Sequence, residues 1–269
     1  MDTVFKPIQP EWNQRLQHIN LLEPTLFLKS SVAYVYQFKV SSNVEPTVLL
    51  PGIPDGCVDI IFNMEGDQGD CFLIPSPKIR QAYSFKTNTT YFGIRSLPLQ
   101  TLFSFVLSMK EINQYIQLAL FEVAPSFSVL YNQLLEISTL KEKLHTLESF
   151  LLSNCTSHSP NSAIVKCCMD ISIRSKGNIH VKDFEAHTGY SERYLRTLFQ
   201  NEVGIPPKLF LELLNFQYTL QEIYSGTFNL ETHIAESGSY DTSHFYKKFK
   251  KFTQMTPFEY RKLLKEVIS

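Results

Sequence analysis

The stretch Ser191-Glu192-Arg193-Tyr194-Leu195-Arg196-Thr197-Leu198-Phe199-Gln200-Asn201-Glu202-Val203-Gly204-Ile205-Pro206-Pro207 decides the reading of this chain. Ser191 is a good N-cap, Glu192 favours the first turn, and Gly204 stops the helix. Leu195, Leu198, Phe199 and Val203 form its apolar stripe, while Arg193, Arg196, Thr197 and Gln200 share the opposite face at i, i+3, i+4, i+7. A short helix expected over 181–187, stopped by Thr188-Gly189, leads into it. Pro206-Pro207 then opens a long helix to about residue 223, proline being tolerated in the first turn.

Shifting the chain by fifty residues finds the same grammar again. Leu195 falls on Phe245, Phe199 on Phe249, Pro207 on Pro257, Phe210 on Tyr260, and Leu213-Leu214 on Leu263-Leu264. A short helix is expected over 232–237 before Gly238. A helix starting near Asp241 or Thr242 then buries Phe245, Phe249 and Phe252 and exposes His244, Lys247, Lys248 and Lys251. Thr256-Pro257-Phe258-Glu259 is a capping box for a last helix. A short helix, a tight turn and a second helix with a polar outer face make a helix-turn-helix, whose second helix enters the DNA major groove. Phenylalanine stripes are core and outward lysines usually only a solvated face, but two such units in one chain point to DNA.

Upstream of residue 98 the period is two. The clearest strand covers 31–40, with Val32, Tyr34, Tyr36, Phe38 and Val40 on one face; others are expected at 48–50, 58–63, 71–74, 82–85 and 91–95, divided by Pro and Gly turns. From Pro98 the period becomes helical. Leu99, Leu102, Phe103 and Val106 predict one helix, and the apolar positions of 130–137 and 140–151 predict more. The polar run 153–162 reads as a linker. The expected fold is α+β: a β-rich domain over 1–97, a helical segment over 98–152, a linker over 153–162, and an all-α DNA-binding domain over 163–269 with about seven helices.

Composition bounds the function. The chain has 269 residues, 43% hydrophobic, with 25 Lys and Arg against 26 Asp and Glu. It is long enough for two domains and has no overall basic signature. Residues 1–159 carry 11 Lys and Arg against 14 Asp and Glu, and residues 160–269 carry 14 against 12, so the halves lie near −3 and +2. The densest positive cluster is Lys247, Lys248, Lys250 and Lys251. The N-terminus lacks a secretory pattern and no apolar run approaches the ~18 residues of a membrane span, so a cytoplasmic location without membrane contact is expected. Cys57, Cys71, Cys155, Cys167 and Cys168 are odd in number and form no CxxC, which argues against disulfides and a zinc site. No histidine lies between His18 and His145, so a metal enzyme in the β-rich half is not expected, nor any cofactor. Asp55, in a turn, and Arg95, ending a strand, are the candidate ligand-binding residues.

Residues 165–265 resemble the AraC/XylS-type transcription regulators. The match lies in Ser191-x3-Leu195-x2-Leu198-Phe199-x4-Gly204-x-Pro206-Pro207-Lys208, in Ile234-Ala235-x2-Gly238-x2-Asp241-x-Ser243-His244-Phe245-x3-Phe249, and in Met255-Thr256-Pro257-x2-Tyr260. The front half, with Pro54-Asp55-Gly56-Cys57-Val58-Asp59 and Phe92-Gly93-Ile94-Arg95, resembles one branch whose sensor is a cupin-like β-barrel followed by a helical hairpin. The chain departs from the family pattern at Asn215, Thr219 and Ser239. The resemblance implies that Arg193, Arg196 and Thr197 face base edges with Gln200 near the backbone. It implies that Thr242, Ser243, His244, Tyr246 and Lys247 do so in the second unit, with Lys248 and Lys251 on phosphates. The partners it implies are promoter DNA, a small-molecule effector, RNA polymerase and a second copy of the chain. The competing class is an N-terminal alkyl-acceptor enzyme with a DNA-binding tail, for which Cys57 or Cys71 is the nucleophile.

Overall fold

The structure, a computed structural model, describes residues 5–16, 19–25, 28–40, 45–66, 70–98, 103, 105–154, 160–232 and 242–266. Among these residues eight strands fill the first half: β1 (Ile19–Leu22), β2 (Val32–Val40), β3 (Thr47–Gly52), β4 (Val58–Asn63), β5 (Phe72–Pro75), β6 (Gln81–Lys86), β7 (Thr89–Ser96) and β8 (Leu118–Ala119). They form an antiparallel six-stranded sheet in the order β1-β2-β7-β4-β5-β8 and a two-stranded ribbon β3-β6. The ribbon lies over one face of the sheet, and between them Tyr36, Phe38, Leu50, Ile61, Tyr83, Phe85 and Tyr91 form an aromatic core. On the other face Val35, Ile60, Phe62, Phe92 and Ile94 pack against helices. Every residue of β4 is therefore buried, as a continuous apolar run requires when both faces of a sheet are covered.

The single-face reading of 31–40 fails at its start. A register shift between Val32 and Tyr34 turns Val32 toward the helices, where Val35 also lies, while Tyr34, Tyr36, Phe38 and Val40 keep the aromatic side. A bulge inserts one residue, which reverses the alternation from that point. Opposite Tyr36, Gly93 is required for close approach: a Cβ there would meet the Tyr36 ring at 2.1 Å.

The helices of the β-rich half are α1 (Pro10–Arg15), α2 (Met109–Ile112), α3 (Leu120–Val123), α4 (Phe127–Leu135) and α5 (Leu140–Asn154). The helix expected from Leu99, Leu102, Phe103 and Val106 is corrected. Leu99 and Leu102 lie outside the described residues, and neither Phe103 nor residues 105–108 are helical. Phe103 enters the core, whereas Val106 is 70% exposed and its N–H is held by the Val123 carbonyl. Helix starts only at Met109, where Ser108 and Glu111 form a capping box.

The C-terminal half contains α6 (Pro160–Arg174), α7 (Asp183–Thr188), α8 (Glu192–Glu202), α9 (Pro207–Ser225), α10 (Thr242–Thr253) and α11 (Pro257–Glu266). Residues 155–159, in the middle of the expected linker, and 233–241, with most of the short helix expected over 232–237, lie outside the described residues. Helix α6 already begins at Pro160, inside the expected linker. Two cores sit on the opposite ends of α9. One joins Val165, Phe184, Leu195, Phe199, Phe210 and Leu214; the other joins Leu213, Phe216, Leu220, Phe249, Phe252 and Tyr260.

The two halves are sewn together. Phe5 belongs to the first helical core and Ile53, just after β3, to the second. The N-terminal segment expected with the β-rich domain therefore also packs on the helical half.

Candidate nucleic-acid interface and its joint to the sensor

Helix α8 begins as its sequence requires. The Ser191 hydroxyl accepts from the Tyr194 N–H, and Glu192 lies in the first turn. Leu195, Leu198 and Phe199 are buried, with the Phe199 ring stacked on Phe184 at 6.3 Å. Arg193, Arg196 and Thr197 are exposed and Gln200 is half-buried. The Arg196 guanidinium reaches Glu192 one turn back at 2.9 Å, an exposed i,i+4 pair. Tyr190 and Tyr194, both largely exposed, hold their rings 5.1 Å apart beside that face.

Helix α10 repeats the plan. Phe245, Phe249 and Phe252 face inward; Thr242, Ser243, His244 and Lys247 are exposed, and Tyr246 and Lys248 are half-buried. Lys251 is committed within the protein: its ammonium meets Glu212 of α9 at 2.5 Å and sits 5.3 Å from the centre of the Phe252 ring. Helix α9, with 19 residues, is about 28 Å long at 1.5 Å per residue. The family-pattern departures on it make bonds of their own, since Thr219 donates to the Asn215 carbonyl and Asn215 donates to Asn178. Ser239 lies outside the described residues.

Asp55 and Arg95 come together, but on each other. Arg95 Nη1 lies 2.8 Å from Asp55 Oδ2, and its Nε and Nη2 clasp Asp59 at 3.0 and 2.6 Å. Tyr36 donates to Asp59 at 2.8 Å. Burial works against the Arg95 charge, yet Asp59, Tyr34 and Asp55 hold its pKa well above the ordinary value. Burial raises the Asp55 carboxyl, opposed by Arg95. Arg95, Gln9 and the Cys57 N–H all donate to the Asp55 carboxylate and oppose that rise.

From Asp55 a chain of hydrogen bonds runs into the C-terminal helical half. Gln9 grips Ile53 through both its amide atoms, at 2.9 and 2.8 Å, and donates to Asp55. Gln217, fully buried on α9, accepts from the Ile8 N–H and donates to the Pro54 carbonyl. Glu11 is clasped by Arg80 at 2.8 and 2.6 Å and accepts from the Tyr260 hydroxyl, while the Arg80 N–H donates to the Phe252 carbonyl. At the first unit, Asn113 donates to the Val203 carbonyl at 3.2 Å, and Gly204 (φ +80) fits so closely that a Cβ would stand 2.4 Å from the Met109 carbonyl oxygen. Gln9, Glu11, Arg80, Asn113 and Gln217 were invisible as a set: they are scattered single polar residues, and only Gln217, polar between apolar neighbours, carried a local signal.

Cys57 and Cys71 are buried, and burial together with Asp55 pushes the Cys57 thiol well above its ordinary value. A thiol so placed is a poor nucleophile, which removes the footing of the alkyl-acceptor alternative.

Comparison with known proteins bears on the C-terminal half. Residues 185–263 match the family model of a helix-turn-helix domain. Searching the curated proteins finds no match. Among solved structures, the chain is similar to ToxT from Vibrio cholerae O395 bound to (E)-4-(8-methylnaphthalen-1-yl)but-3-enoic acid, at 14% identity over 92% of this chain and 98% of that one, with a TM-score of 0.40. Unsaturated-fatty-acid-bound wild-type ToxT from Vibrio cholerae strain SCE256 gives 12% identity over 93% and 96%, also with a TM-score of 0.40. The class defined by residues 185–263 is the helix-turn-helix domain. No helix among the described residues is long and apolar enough to cross a membrane.

Proposed function

We propose that the chain is a sequence-specific DNA-binding transcription regulator whose sensor half sets the state of its DNA-binding half. The observation that carries this is the pair of helices α8 and α10, each burying an apolar stripe and presenting Arg, Lys, Thr, Ser and His outward, joined by one rigid helix. Arg193, Arg196 and Thr197 read bases in one major groove, with Gln200 beside the backbone. Thr242, Ser243, His244, Tyr246 and Lys247 read the next groove, and Lys248 and Lys251 meet phosphates.

The division of labour follows the chain: sensor over 1–97, pairing and relay helices over 98–152, DNA-binding over 163–269. Asp55 and Arg95 act in this scheme at the joint between sensor and DNA reader. A small-molecule effector, a second copy of the chain and RNA polymerase are the further partners proposed. An effector acts only if it binds the sewn and the released arrangements with different affinity.

The test is selection of bound DNA from a random library with the full chain, since Phe5 and Ile53 complete the helical cores. Two enriched blocks about one helical turn apart are expected. One short block would leave α10 as a backbone grip, and no enrichment would overturn the reading.

A further inference from the structure

Beside the face of α8 that carries Arg193, Arg196 and Thr197 stand two tyrosine rings. Tyr190 immediately precedes the Ser191 cap, and Tyr194 is the third residue of the helix. Their rings lie 5.1 Å apart, tilted by 32°. Tyrosine carries a large apolar surface, yet these two are left 43% and 40% exposed. Of the exposed large apolar side chains described in the C-terminal half, Tyr190, Tyr194, Tyr224 and Phe258, these two are in ring contact with each other. Single exposed apolar side chains are ordinary; two in contact at the rim of a charged face are candidates for a contact surface.

The pair is continuous with the proposed reading face. At about 3.6 residues per turn, Tyr194 stands about 60° from Thr197 around the helix axis, on the side away from Arg196. Tyr194 also lies near the N-terminal end of α8, and the N-terminal residues of a recognition helix are the ones that meet base edges. The two flanks of the face differ in chemistry. On one, the Arg196 guanidinium offers several donors. On the other, the Thr197 hydroxyl already donates to the Arg193 carbonyl at 3.2 Å, so its proton is spent and this flank offers a base pair mostly hydrocarbon. Among the groups that base pairs present in the major groove, the C5 methyl of thymine is the apolar one.

We infer that Tyr190 and Tyr194 form an aromatic wall that packs on a thymine methyl at the edge of the block read by α8, so that the first unit demands a thymine there as well as the base read by Arg196. The inference deepens the regulator reading and rests on it for the groove that receives α8.

The test exchanges thymine for deoxyuridine, which removes the methyl and keeps every hydrogen-bonding group of the base. DNA selected by the full chain should contain a thymine in the block whose readout is lost in Arg196→Ala. With each thymine replaced in turn, anisotropy titration should find a position at which the parent's affinity falls about fourfold, the worth of one buried methyl group. In the double variant Tyr190→Ala, Tyr194→Ala the thymine and deoxyuridine sites should bind equally. In the double variant Tyr190→Phe, Tyr194→Phe the difference should persist, because the rings and not the hydroxyls make the contact. Deoxyuridine changes only the DNA, so the measurement on the parent stands even where a variant folds poorly. A selected block without thymine, indifference to deoxyuridine at every thymine, or a methyl effect undiminished in the alanine double variant would overturn the inference and leave the regulator reading intact. A phenylalanine double variant that loses affinity for all DNA alike and no longer senses the methyl would make the pair a phosphate grip, which also overturns it. Selection that enriches no sequence would sink the regulator reading itself, and the aromatic wall with it.

Discussion

At the scale of single residues, the two halves of the proposed interface make different bonds. Among the described residues Arg196 is tied only by an exposed pair to Glu192, and such pairs contribute about 0–1 kcal/mol. DNA can take it over cheaply, and a bidentate contact to guanine contributes about 1–3 kcal/mol of discrimination. Arg196→Ala should therefore weaken the selected site by roughly that amount and random DNA much less, in anisotropy titrations; equal losses would remove it from base reading. Lys251 differs because Glu212 already holds it. Lys251→Ala should weaken both DNAs alike and lower the salt slope by about one, and Glu212→Gln should strengthen both. Arg95 shows the opposite regime, a charge fully enclosed. Arg95→Leu leaves Asp55 and Asp59 buried together without their cation, and breaking a buried pair in this way costs about 3–5 kcal/mol. The sign of its pH dependence follows from Asp55. Its folded pKa is raised even with Arg95 present, and removing Arg95 raises it further, so its contribution is favourable below the ordinary carboxylate range and lost as pH rises through the folded value. Urea unfolding should show a deficit in Arg95→Leu that is largest at neutral pH and shrinks on acidification; a constant deficit would mean the carboxylates are paired elsewhere.

At the scale of elements, what was legible in the sequence is what local chemistry controls. The Thr256–Glu259 box is an example: Thr256 N–H and hydroxyl both donate to Glu259, and the Thr256 hydroxyl accepts from the Glu259 N–H. Those bonds hold the Glu259 carboxyl below its ordinary value. The contribution is present above the ordinary carboxylate pKa and is lost as pH falls through the lowered folded value. Thr256→Ala should destabilise by about 1 kcal/mol at neutral pH, and its melting temperature should fall less than the parent's on acidification. The same local logic placed Ser191, Pro207 and the stripes of α8 and α10, because caps and 3.6-residue periodicity act within a few residues. Periodicity failed where tertiary structure decides. Phe103 and Val106 have helical spacing, yet one fills the core and the other turns to solvent. Val32 and Tyr34 alternate in sequence, yet a bulge parts them. Strand β1 and the two-residue β8 are sheet-edge elements, and β8 pairs with β5, a strand far upstream in the chain. The charged pair Asp55–Arg95 was legible as two residues of interest, but that Asp59 and Gln9 close it off is a fact of packing alone.

At the scale of the whole molecule, the seam between the halves is built from polar bonds that only the assembled chain satisfies. Gln217 is its centre: one carboxamide, fully buried, satisfies the Ile8 N–H and the Pro54 carbonyl, which lie 46 positions apart in sequence. Replacement by leucine keeps the volume and removes both bonds. Each buried group left unpaired is unfavourable by about 1–3 kcal/mol. The penalty falls on the seam, because the cores on either side make their own contacts through Phe199 and Phe210 on one unit and Phe62 and Phe92 in the β-rich half. Gln217→Leu should therefore loosen the union of the halves before it unfolds either. Hydrogen exchange read by mass spectrometry should rise in residues 5–16 and 51–56, with α8 and the central strands β4 and β7 still protected. Calorimetry should resolve two transitions in the variant where the parent gives one. If exchange rises uniformly across both halves, the seam and the cores form a single cooperative unit, and a sensor that releases its DNA-binding half without unfolding is not available to this fold.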